Sequence, residues 1–376
     1  MNAPAPITVP QANPGAGYRA QQAEIDAAVS RALNSGWYIL GAEGKAFEAE
    51  YAAWMGTARA VGCANGTDAL ALALRGLGIG PGCAVATVAH TAVATVAAVE
   101  MVGATPVLID IDPVHYTMDP AELAAVLASP PAGLPPIKAV IPVHLYGQAV
   151  DLPAIMAAAA KHGIPVIEDC SQAHGATWQG RKVGGFTEVS CFSLYPTKNL
   201  GALGDGGVLA TNNEALATRI GALRQYGWHQ HYISDECGVN SRLDEIQAAI
   251  LRVKLTRLDA NNARRQAIAA AYDAALPAGL VAPARRAGGT HVFHQYVLRS
   301  TERAAIQAKL RAQGIATGIH YPMPVHTQPA YKGRIALGPA ACRASEQASA
   351  EVFSLPMFPE LADPQVDQVC AALRAL

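Results

Sequence analysis

The chain has 376 residues, more than one hydrophobic core usually serves, and this length predicts two domains. Its 28 basic and 29 acidic residues give a formal net charge of −1, and 15% of residues are charged against 51% hydrophobic. This balance argues against nucleic acid or an anionic membrane as a partner, since either would require a basic run or patch.

The N-terminal segment and the cysteines predict a cytoplasmic protein. Prolines interrupt the first residues, where a secretory signal needs an unbroken apolar helix. The most apolar stretch, Ala84 to Ala104, contains His90 and Glu100 and is therefore a poor membrane span. The seven cysteines never form a CxxC pair, which fits free thiols in a reducing cytosol better than disulfides or zinc. No HExxH motif occurs, and we expect no metal site.

Short apolar strands alternate with helices over the first two thirds of the chain. Helical patterns cover Tyr18–Trp37 and Gly44–Trp54. The predicted strands are Arg59–Cys63, Ala84–Val88, Thr105–Asp110, Lys138–Val143, Ile164–Glu168, Val189–Ser193 and Gly207–Ala210. The predicted helices between them are Thr67–Leu74, Ala92–Val102, Pro120–Leu127, Leu152–His162 and Glu214–Tyr226. This order predicts an α/β fold with a mostly parallel, seven-stranded sheet that binds ligands beyond the carboxyl ends of its strands.

The pattern changes beyond Asn240. A long helix is predicted over Asp244–Ala275, and a smaller α/β region follows it. Its predicted elements are strand His294–Leu298, helix Glu302–Gln313, the proline-broken loop His320–Gln328, and helices near Cys342–Phe353 and Pro364–Leu373. We therefore predict a large domain over residues 15–255 and a small C-terminal α/β domain over residues 256–376.

The turn after the first strand has the features of a phosphate site. Asn65, Gly66 and Thr67 lead from strand Arg59–Cys63 into a helix. Gly66 permits close approach of the backbone, the free N–H groups of a helix start attract an anion, and Thr67 adds a hydroxyl. The alternative is an ordinary capped helix with Asn65 or Thr67 as its cap, and the turn alone does not decide between the two.

A carboxylate follows the predicted strand Ile164–Glu168. Burial of Asp169 in apolar surroundings is costly unless it pairs, and a heteroaromatic nitrogen that must stay protonated is one such partner. Gln172, three residues on, could reach a phenolic oxygen. Asp169 could equally cap the turn that follows.

The stretch Glu188–Gly207 carries one lysine, Lys198, between a strand that ends at Ser193 and a glycine-rich loop. In a P-loop the glycines precede the lysine, so this order excludes that motif. A rigid turn suits an amine that traps a carbonyl, whereas the alternative is a solvated surface lysine. Taken in chain order, a phosphate-type helix start, a strand-end aspartate and a turn-borne lysine are what pyridoxal 5′-phosphate requires.

A series of motifs also resembles the DegT/DnrJ/EryC1/StrS aminotransferase family, and the resemblance covers nearly the whole chain. In order they are GWYILG, ANGTDALALALRGLGIGPG, AHTAVAT, GATPVLIDIDP, PVHLYGQAVDLPAI, IEDCSQAHGATWQGRKVGGF, CFSLYPTKNLGALGDGG, GVNSRLDEIQAAIL and HYPMPVHTQPAY. The resemblance implies the aspartate aminotransferase fold (pyridoxal phosphate fold type I) and an enzyme that aminates nucleotide-linked keto sugars.

The family pattern implies a role for each matching residue. Lys198 is the Schiff-base lysine and proton carrier. The other implied cofactor contacts are Gly66, Thr67 and Ser193 to the phosphate, Asp169 to the ring nitrogen and Gln172 to the ring hydroxyl oxygen. Asn240 is implied to reach the cofactor of the neighbouring subunit, which makes a homodimer with shared active sites. The residues implied near the sugar are Tyr195, His320, Tyr321 and His326.

One position departs from the family pattern. An aromatic residue usually stacks on the cofactor ring directly after the threonine of the AHT segment, and this chain has Ala92 there. We therefore expect His90 or another side chain to stack on the ring, or the ring to be held more loosely.

The resemblance implies transfer of an amino group from L-glutamate, which leaves as 2-oxoglutarate, to a keto sugar for amino-sugar biosynthesis. Family members that act at C-3 tend to carry NLGALGDGG after the lysine and a tyrosine three residues before it, as at Tyr195 and Asn199–Gly207. We therefore expect a dTDP- or UDP-linked 3-keto sugar. The alternatives are amination at C-4, a fold type I enzyme on another amino or keto substrate, and a non-catalytic regulator. A sister group of sugar dehydratases has histidine at the position of the lysine. Lys198 in this chain therefore argues against dehydratase activity.

Overall fold

The order of elements follows the predicted alternation of strands and helices. A computed structural model describes residues 6–376. Up to residue 255 its elements are α1 (Pro14–Arg19), α2 (Gln22–Asn34), α3 (Ala42–Met55), β1 (Arg59–Cys63), α4 (Gly66–Gly76), β2 (Ala84–Val88), α5 (Ala94–Met101), β3 (Thr105–Ile109), α6 (Pro120–Ala128), β4 (Ile137–Val140), α7 (Leu152–Ala160), β5 (Ile167–Asp169), β6 (Thr177–Trp178), β7 (Arg181–Lys182), β8 (Val189–Ser193), β9 (Gly207–Thr211), α8 (Glu214–Leu223), β10 (Trp228–Gln230), β11 (Ile233–Ser234) and α9 (Glu245–Leu255). The α/β class is confirmed.

The central sheet consists of two four-stranded ladders, in the orders β1-β9-β8-β5 and β4-β2-β3 with a short edge strand, β13 (Ala336–Leu337). Parallel bridges Val140–Val166 and Val143–Asp169 join the ladders. The pairing is parallel except around β9, which runs antiparallel to both β1 and β8. The sheet is therefore mostly parallel as predicted, and the short edge strand β13 was not foreseen.

Both faces of this sheet are buried. In β2, Ala84, Ala86 and Val88 pack into one hydrophobic cluster, whereas Val85 packs into a second cluster on the opposite face. Alternate side chains of a strand point to opposite faces, so a strand covered on both sides must be apolar throughout. This burial fixes the register of the strands and hence the positions of the loops that follow them.

The C-terminal region has a hydrophobic cluster of its own, which includes Tyr272, Tyr296 and Phe353. Its elements are α10 (Leu258–Asp273), β12 (Tyr296–Arg299), α11 (Arg303–Ala312), β13, α12 (Arg343–Glu351), β14 (Val352–Leu355) and α13 (Asp363–Arg374). The division at residue 255 stays a prediction. Among residues 6–376, no helix combines the length and the hydropathy that a membrane span requires.

Two predicted helices differ from the structure. The helix expected over Asp244–Ala275 is broken between α9 and α10 at Thr256 and Arg257. The helix expected over Cys342–Phe353 ends at Glu351, and the next four residues form β14, which pairs antiparallel with β12. A buried pairing with a distant strand overrides the local helical pattern here.

Candidate active site

A cavity of about 340 Å³ lies where the carboxyl ends of the parallel strands meet. The N-terminal end of the reversed strand β9 reaches the same edge, because Cys63 and Ser193 both pair with Gly207. Nine of the eleven predicted site residues line this cavity: Gly66, Thr67, Asp169, Gln172, Ser193, Tyr195, Lys198, His320 and Tyr321. Loops separated by more than 100 residues in sequence thus contribute to one site.

The start of α4 forms one end of the cavity. Asn65 caps this helix, since its Oδ1 accepts the N–H of Asp68 at 2.8 Å. The cap leaves the N–H groups of Gly66 and Thr67 without a partner inside the helix. A Cβ on Gly66 would lie 2.6 Å from Cβ of Ser193, so only glycine allows the helix start and the end of β8 to approach this closely. The same turn can therefore both cap the helix and bind an anion.

Asp169 ends β5 and is almost fully buried, at 4% exposure. Its Oδ2 accepts the hydroxyl of Thr95 at 2.9 Å, and its Oδ1 accepts the N–H of Ser171 at 3.1 Å. Among residues 6–376, no lysine, arginine or histidine side chain forms an ion pair with it. The carboxylate therefore has hydrogen-bond donors but, among the described residues, no cationic side chain within ion-pair distance, as a partner for a protonated ring nitrogen would need.

The amide of Gln172 has a fixed orientation. The backbone N–H of Tyr146 lies 2.7 Å from Oε1, and because this group can only donate, it assigns Oε1 as the acceptor. Nε2 then donates to the hydroxyl of Tyr321 at 3.0 Å. Burial raises the pKa of this hydroxyl to about 12, so it stays protonated near neutral pH. Gln172 therefore presents N–H donors to the cavity.

Lys198 follows a turn in which its N–H donates to the carbonyl of Tyr195 at 2.8 Å. Burial lowers the pKa of its amine to about 8, while the charge of Asp169 acts in the opposite direction. A substantial share of the amine is thus neutral near pH 8, as nucleophilic attack on a carbonyl requires. A solvated surface lysine would not have this pKa.

Two histidines lie in the wall next to Lys198. Burial, and then the charge of Lys198, lower the pKa of His320 to about 4. The same two causes, in the same order, hold the pKa of His294 well below its usual range. His320 is held by a hydrogen bond of 2.8 Å between its Nδ1 and Ser354 Oγ. Both rings are neutral at pH 7 and act as hydrogen-bonding groups, while Tyr195, at 52% exposure, lies at the mouth.

Two predicted site residues lie elsewhere. Asn240 is exposed and lines a neighbouring pocket that shares Asp205 with the cavity. His326 is buried, and its Nε2 lies 2.9 Å from Oε1 of Glu346, so it does not line the cavity. The physical reason is that the contact with Glu346 of α12 engages this ring outside the cavity.

His90 does not replace the missing aromatic residue at Ala92. Ala92 lines the cavity, whereas His90 is fully buried behind it. The ring of His90 is engaged on both sides, with Tyr146 Oη at 2.7 Å and Ser349 Oγ at 3.1 Å.

Sequence reasoning missed several lining residues, among them Thr91, Thr95, His294 and Gln295. The two threonines lie four residues apart in the AHTAVAT segment, a spacing that places them on one face at a helix start. This spacing in the sequence could therefore have indicated both threonines as site residues. No local sequence pattern indicates His294 or Gln295, which lie in the C-terminal region of the chain.

The described residues bring His144, Glu168 and Cys170 within metal-ligand distance of one another. His144 Nδ1 accepts the N–H of Val150 at 3.1 Å, so its Nε2 carries the proton and donates to Glu168 at 3.1 Å. Glu168 also accepts the N–H of Gly184 at 2.8 Å and the hydroxyl of Thr187 at 3.0 Å. These hydrogen bonds within the protein account for His144 and Glu168 as a buried polar pair.

The cavity fits pyridoxal phosphate. Gly66 lets the helix start approach Ser193 closely, and the first N–H groups of a helix are the ones that bind an anion. A carboxylate, an amide donor and a lysine of lowered pKa line the same cavity. These are the groups that the phosphate, the ring and the aldehyde would each need.

Comparison with known proteins agrees with this fit. The profile described as the DegT/DnrJ/EryC1/StrS aminotransferase family matches residues 19–374. A dTDP-3-amino-3,4,6-trideoxy-alpha-D-glucose transaminase from Streptomyces venezuelae is 44% identical over 361 residues, which cover 96% of this chain and 93% of that protein. A UDP-N-acetyl-3-dehydro-alpha-D-glucosamine 3-aminotransferase from Acidithiobacillus ferrooxidans is 44% identical over 352 residues, 93% of each chain.

A solved structure confirms the fold. The crystal structure of DesV from S. venezuelae in complex with a ketimine intermediate has a TM-score of 0.94 and 43% sequence identity, and the match covers 99% of this chain and 98% of that one. The predicted aminotransferase fold is therefore confirmed over the whole described chain.

Proposed function

Because the chain belongs to the DegT/DnrJ/EryC1/StrS aminotransferase family and is a pyridoxal phosphate-dependent aminotransferase, we propose that it aminates C-3 of a nucleotide-linked keto sugar. The observation that carries this proposal is that relatives 44% identical over more than nine tenths of the chain are named for amination at C-3. Tyr195 and the loop Asn199–Gly207 support the same carbon, since Tyr195 and Asp205 of that loop line the cavity. L-Glutamate is the proposed amino donor, and amino-sugar biosynthesis is the proposed role.

Different residues of the cavity would bind different parts of the cofactor. Gly66, Thr67 and Ser193 would hold the phosphate, Asp169 the ring nitrogen and Gln172 the ring hydroxyl oxygen. When bound, pyridoxal phosphate supplies the aldehyde that carries the amino group and a protonated ring that accepts electrons. The hydrogen bonds from Thr95 and Ser171 hold the carboxylate of Asp169 in one orientation, from which it would accept the N–H of a protonated ring.

Lys198 is the proposed general base and acid. In the first half of the reaction its Nζ would remove the α-proton of L-glutamate and pass a proton to the aldehyde carbon of the cofactor, and 2-oxoglutarate leaves. In the second half Nζ would take a proton back from that carbon and deliver it to C-3 of the sugar. The lowered pKa supports this role, because an amine of pKa about 8 exchanges protons readily near neutral pH. Tyr321 and His320 would contact the sugar, since both line the cavity beside Lys198.

We also infer a homodimer with shared sites. Asn240 lies outside its own cavity and is exposed, which suits a residue that serves a second copy of the chain. The adjoining hairpin of β10 and β11 presents Tyr226, Trp228 and Tyr232, with ring centroids 5.1 and 5.2 Å apart. Tyr232 is 77% exposed, and a cluster of such rings is typical of a protein interface.

We propose a cytoplasmic location. All seven cysteines are free, and five of them are buried. Free thiols in these numbers are typical of a reducing compartment.

The test offers 3-keto and 4-keto sugars, each linked to dTDP or UDP, with L-glutamate, and locates the new amine by NMR. We expect amination at C-3, with 2-oxoglutarate formed in equal amount. The Lys198→Ala variant should lose turnover and the visible absorbance of bound cofactor. Lys138→Ala is the matched control, because Lys138 is exposed on β4 and does not line the cavity.

Two results would contradict this proposal in different ways. Preferential amination at C-4 would refute the choice of carbon and leave the aminotransferase intact. Turnover by Lys198→Ala at a rate comparable with the wild type would refute the role of the lysine.

A further inference from the structure

Thr95 donates the single side-chain hydrogen bond that Asp169 receives from residues 6–376. It is the second residue of α5, and its side chain is buried at 1% exposure. The contact joins residues that lie 74 positions apart in sequence. It therefore depends on the fold, which brings the start of α5 to the end of β5, and no local turn produces it.

The direction of the hydrogen bonds around Thr95 can be assigned. An ionised carboxylate only accepts, so the one hydroxyl proton of Thr95 points to Oδ2 of Asp169. Thr91 Oγ1 lies 3.1 Å from Thr95 Oγ1, and it must then be the donor of that contact. Thr91, Thr95 and Asp169 thus form a directed chain of hydrogen bonds, all three lining the cavity.

We propose that Thr95 is a positioning residue that holds the carboxylate of Asp169 aimed at the ring nitrogen of the cofactor, with Thr91 orienting the hydroxyl of Thr95. The inference rests on the proposed function. A carboxylate aimed at the ring nitrogen favours a proton on that nitrogen, since a nearby opposite charge stabilises the charged form of a group. With Oδ1 held by Ser171 and Oδ2 by Thr95, the carboxylate has little freedom to rotate, and lone pairs remain for a cofactor.

A purely structural role for Thr95 would have a different signature. Removal of its hydroxyl would then change the folding stability. The protonation of the ring and the affinity for the cofactor would stay the same in the folded protein. The protonation of the ring nitrogen therefore decides between the two roles, and it can be measured without turnover.

The experiment reconstitutes each variant with pyridoxal phosphate labelled with nitrogen-15 in the ring and records the NMR shift of that nitrogen across pH. Thr95→Val removes the hydroxyl at nearly constant volume, and Thr95→Ser restores it. Thr87→Val is the matched control, because Thr87 is equally buried and donates to the carbonyl of Ile141 at 2.8 Å, outside the cavity.

We expect the wild type, Thr95→Ser and Thr87→Val to keep the shift of a protonated ring. Thr95→Val should move the shift towards that of a neutral ring and raise the dissociation constant of the cofactor roughly tenfold to a hundredfold, as loss of a hydrogen bond to a charged group implies. Thr91→Val should shift both quantities in the same direction by less, and it provides the test if Thr95→Val does not fold.

The proposal is overturned if folded Thr95→Val, or Thr91→Val in its place, retains the wild-type shift and dissociation constant. It is equally overturned if Thr87→Val changes both as much as Thr95→Val does. Failure of the proposed function is distinguishable, because the choice of sugar carbon is read from the product and does not change the ring shift or the dissociation constant of the cofactor.

Discussion

At the scale of single residues, the feature with the largest chemical consequence is the protonation state of Lys198. Burial lowers the pKa of its amine to about 8, and Asp169 partly offsets this effect. The histidines in the same wall, His294 and His320, are neutral at pH 7 because burial lowers their pKa values. The charge balance of the cavity near Lys198 therefore depends chiefly on Lys198 and Asp169.

This charge balance predicts how capture of the cofactor depends on pH. Only the neutral amine attacks an aldehyde, so the rate at which apoenzyme binds pyridoxal phosphate covalently should rise with pH around a midpoint near 8. Stopped-flow absorbance from pH 6.5 to 10 measures this midpoint. Asp169→Asn should lower the midpoint further, because the negative charge of Asp169 favours the ammonium form. A midpoint near 10, where a solvated lysine titrates, would contradict the burial of Lys198.

The sequence allowed these residues to be predicted to different degrees. Asp169 and Lys198 were predictable because each follows a strand whose apolar pattern is local. Thr95 was not assigned to the site, because its hydrogen bond to Asp169 exists only once the fold brings the start of α5 to the end of β5. His326 shares a motif with His320, yet a contact with Glu346 on another element holds it elsewhere.

At the scale of elements, the site depends on how closely strand ends and helix starts approach one another. Gly66 lies against Ser193, and a Cβ on Gly207 would come within 2.2 Å of the carbonyl oxygen of Asn65. None of the three elements involved, α4, β8 and β9, can move away without opening the phosphate end of the cavity. The glycines beside Lys198 thus serve close packing rather than a P-loop.

Gly66→Ala tests this close packing. The new Cβ would lie 2.6 Å from Cβ of Ser193, so α4 and β8 must separate, and overpacking of this kind typically costs about 1–3 kcal/mol. We expect the dissociation constant of the cofactor to rise about tenfold or more, measured by absorbance titration. Gly221→Ala is the control, since Gly221 lies in α8 with open space around its Cβ position. That variant should keep its cofactor affinity and gain up to about 1 kcal/mol of stability.

Equal cofactor affinity in Gly66→Ala and Gly221→Ala would show that the approach of α4 to β8 does not matter for binding.

The elements themselves were largely predictable, because strands such as β1, β2 and β8 have apolar runs bounded by turns. The strand β14 was missed, since Val352–Leu355 becomes a strand only by pairing with β12, more than 50 residues earlier. Local patterns carry no information on such pairings.

At the scale of the whole molecule, the exposed aromatic hairpin and the position of Asn240 have no explanation within one chain. The hairpin is tied to the segment of Asn240, since the N–H of Tyr226 donates to the carbonyl of Val239 at 2.9 Å. The next residue, Ser241, donates to Asp68 at 2.6 Å and accepts the N–H of Ala64 at 3.1 Å. The loop that is proposed to serve the partner is thus fixed to the start of α4 in its own subunit, and a partner bound at this loop would lie near both sites.

Hybrid dimers distinguish a shared site from an independent one. A Lys198→Ala chain and an Asn240→Ala chain each form defective homodimers, and they are mixed after dissociation and allowed to reassociate. If Asn240 acts in the partner's site, the hybrid contains one site with both residues intact, and about half of the dimers in an equal mixture are hybrids. The measured turnover per chain should therefore rise clearly above the average of the two separate variants. A mixture of Lys198→Ala with a chain carrying both substitutions is the control and should show no rise. If Asn240 acts within its own subunit, every hybrid site lacks one of the two residues, and the mixture would show only the average activity.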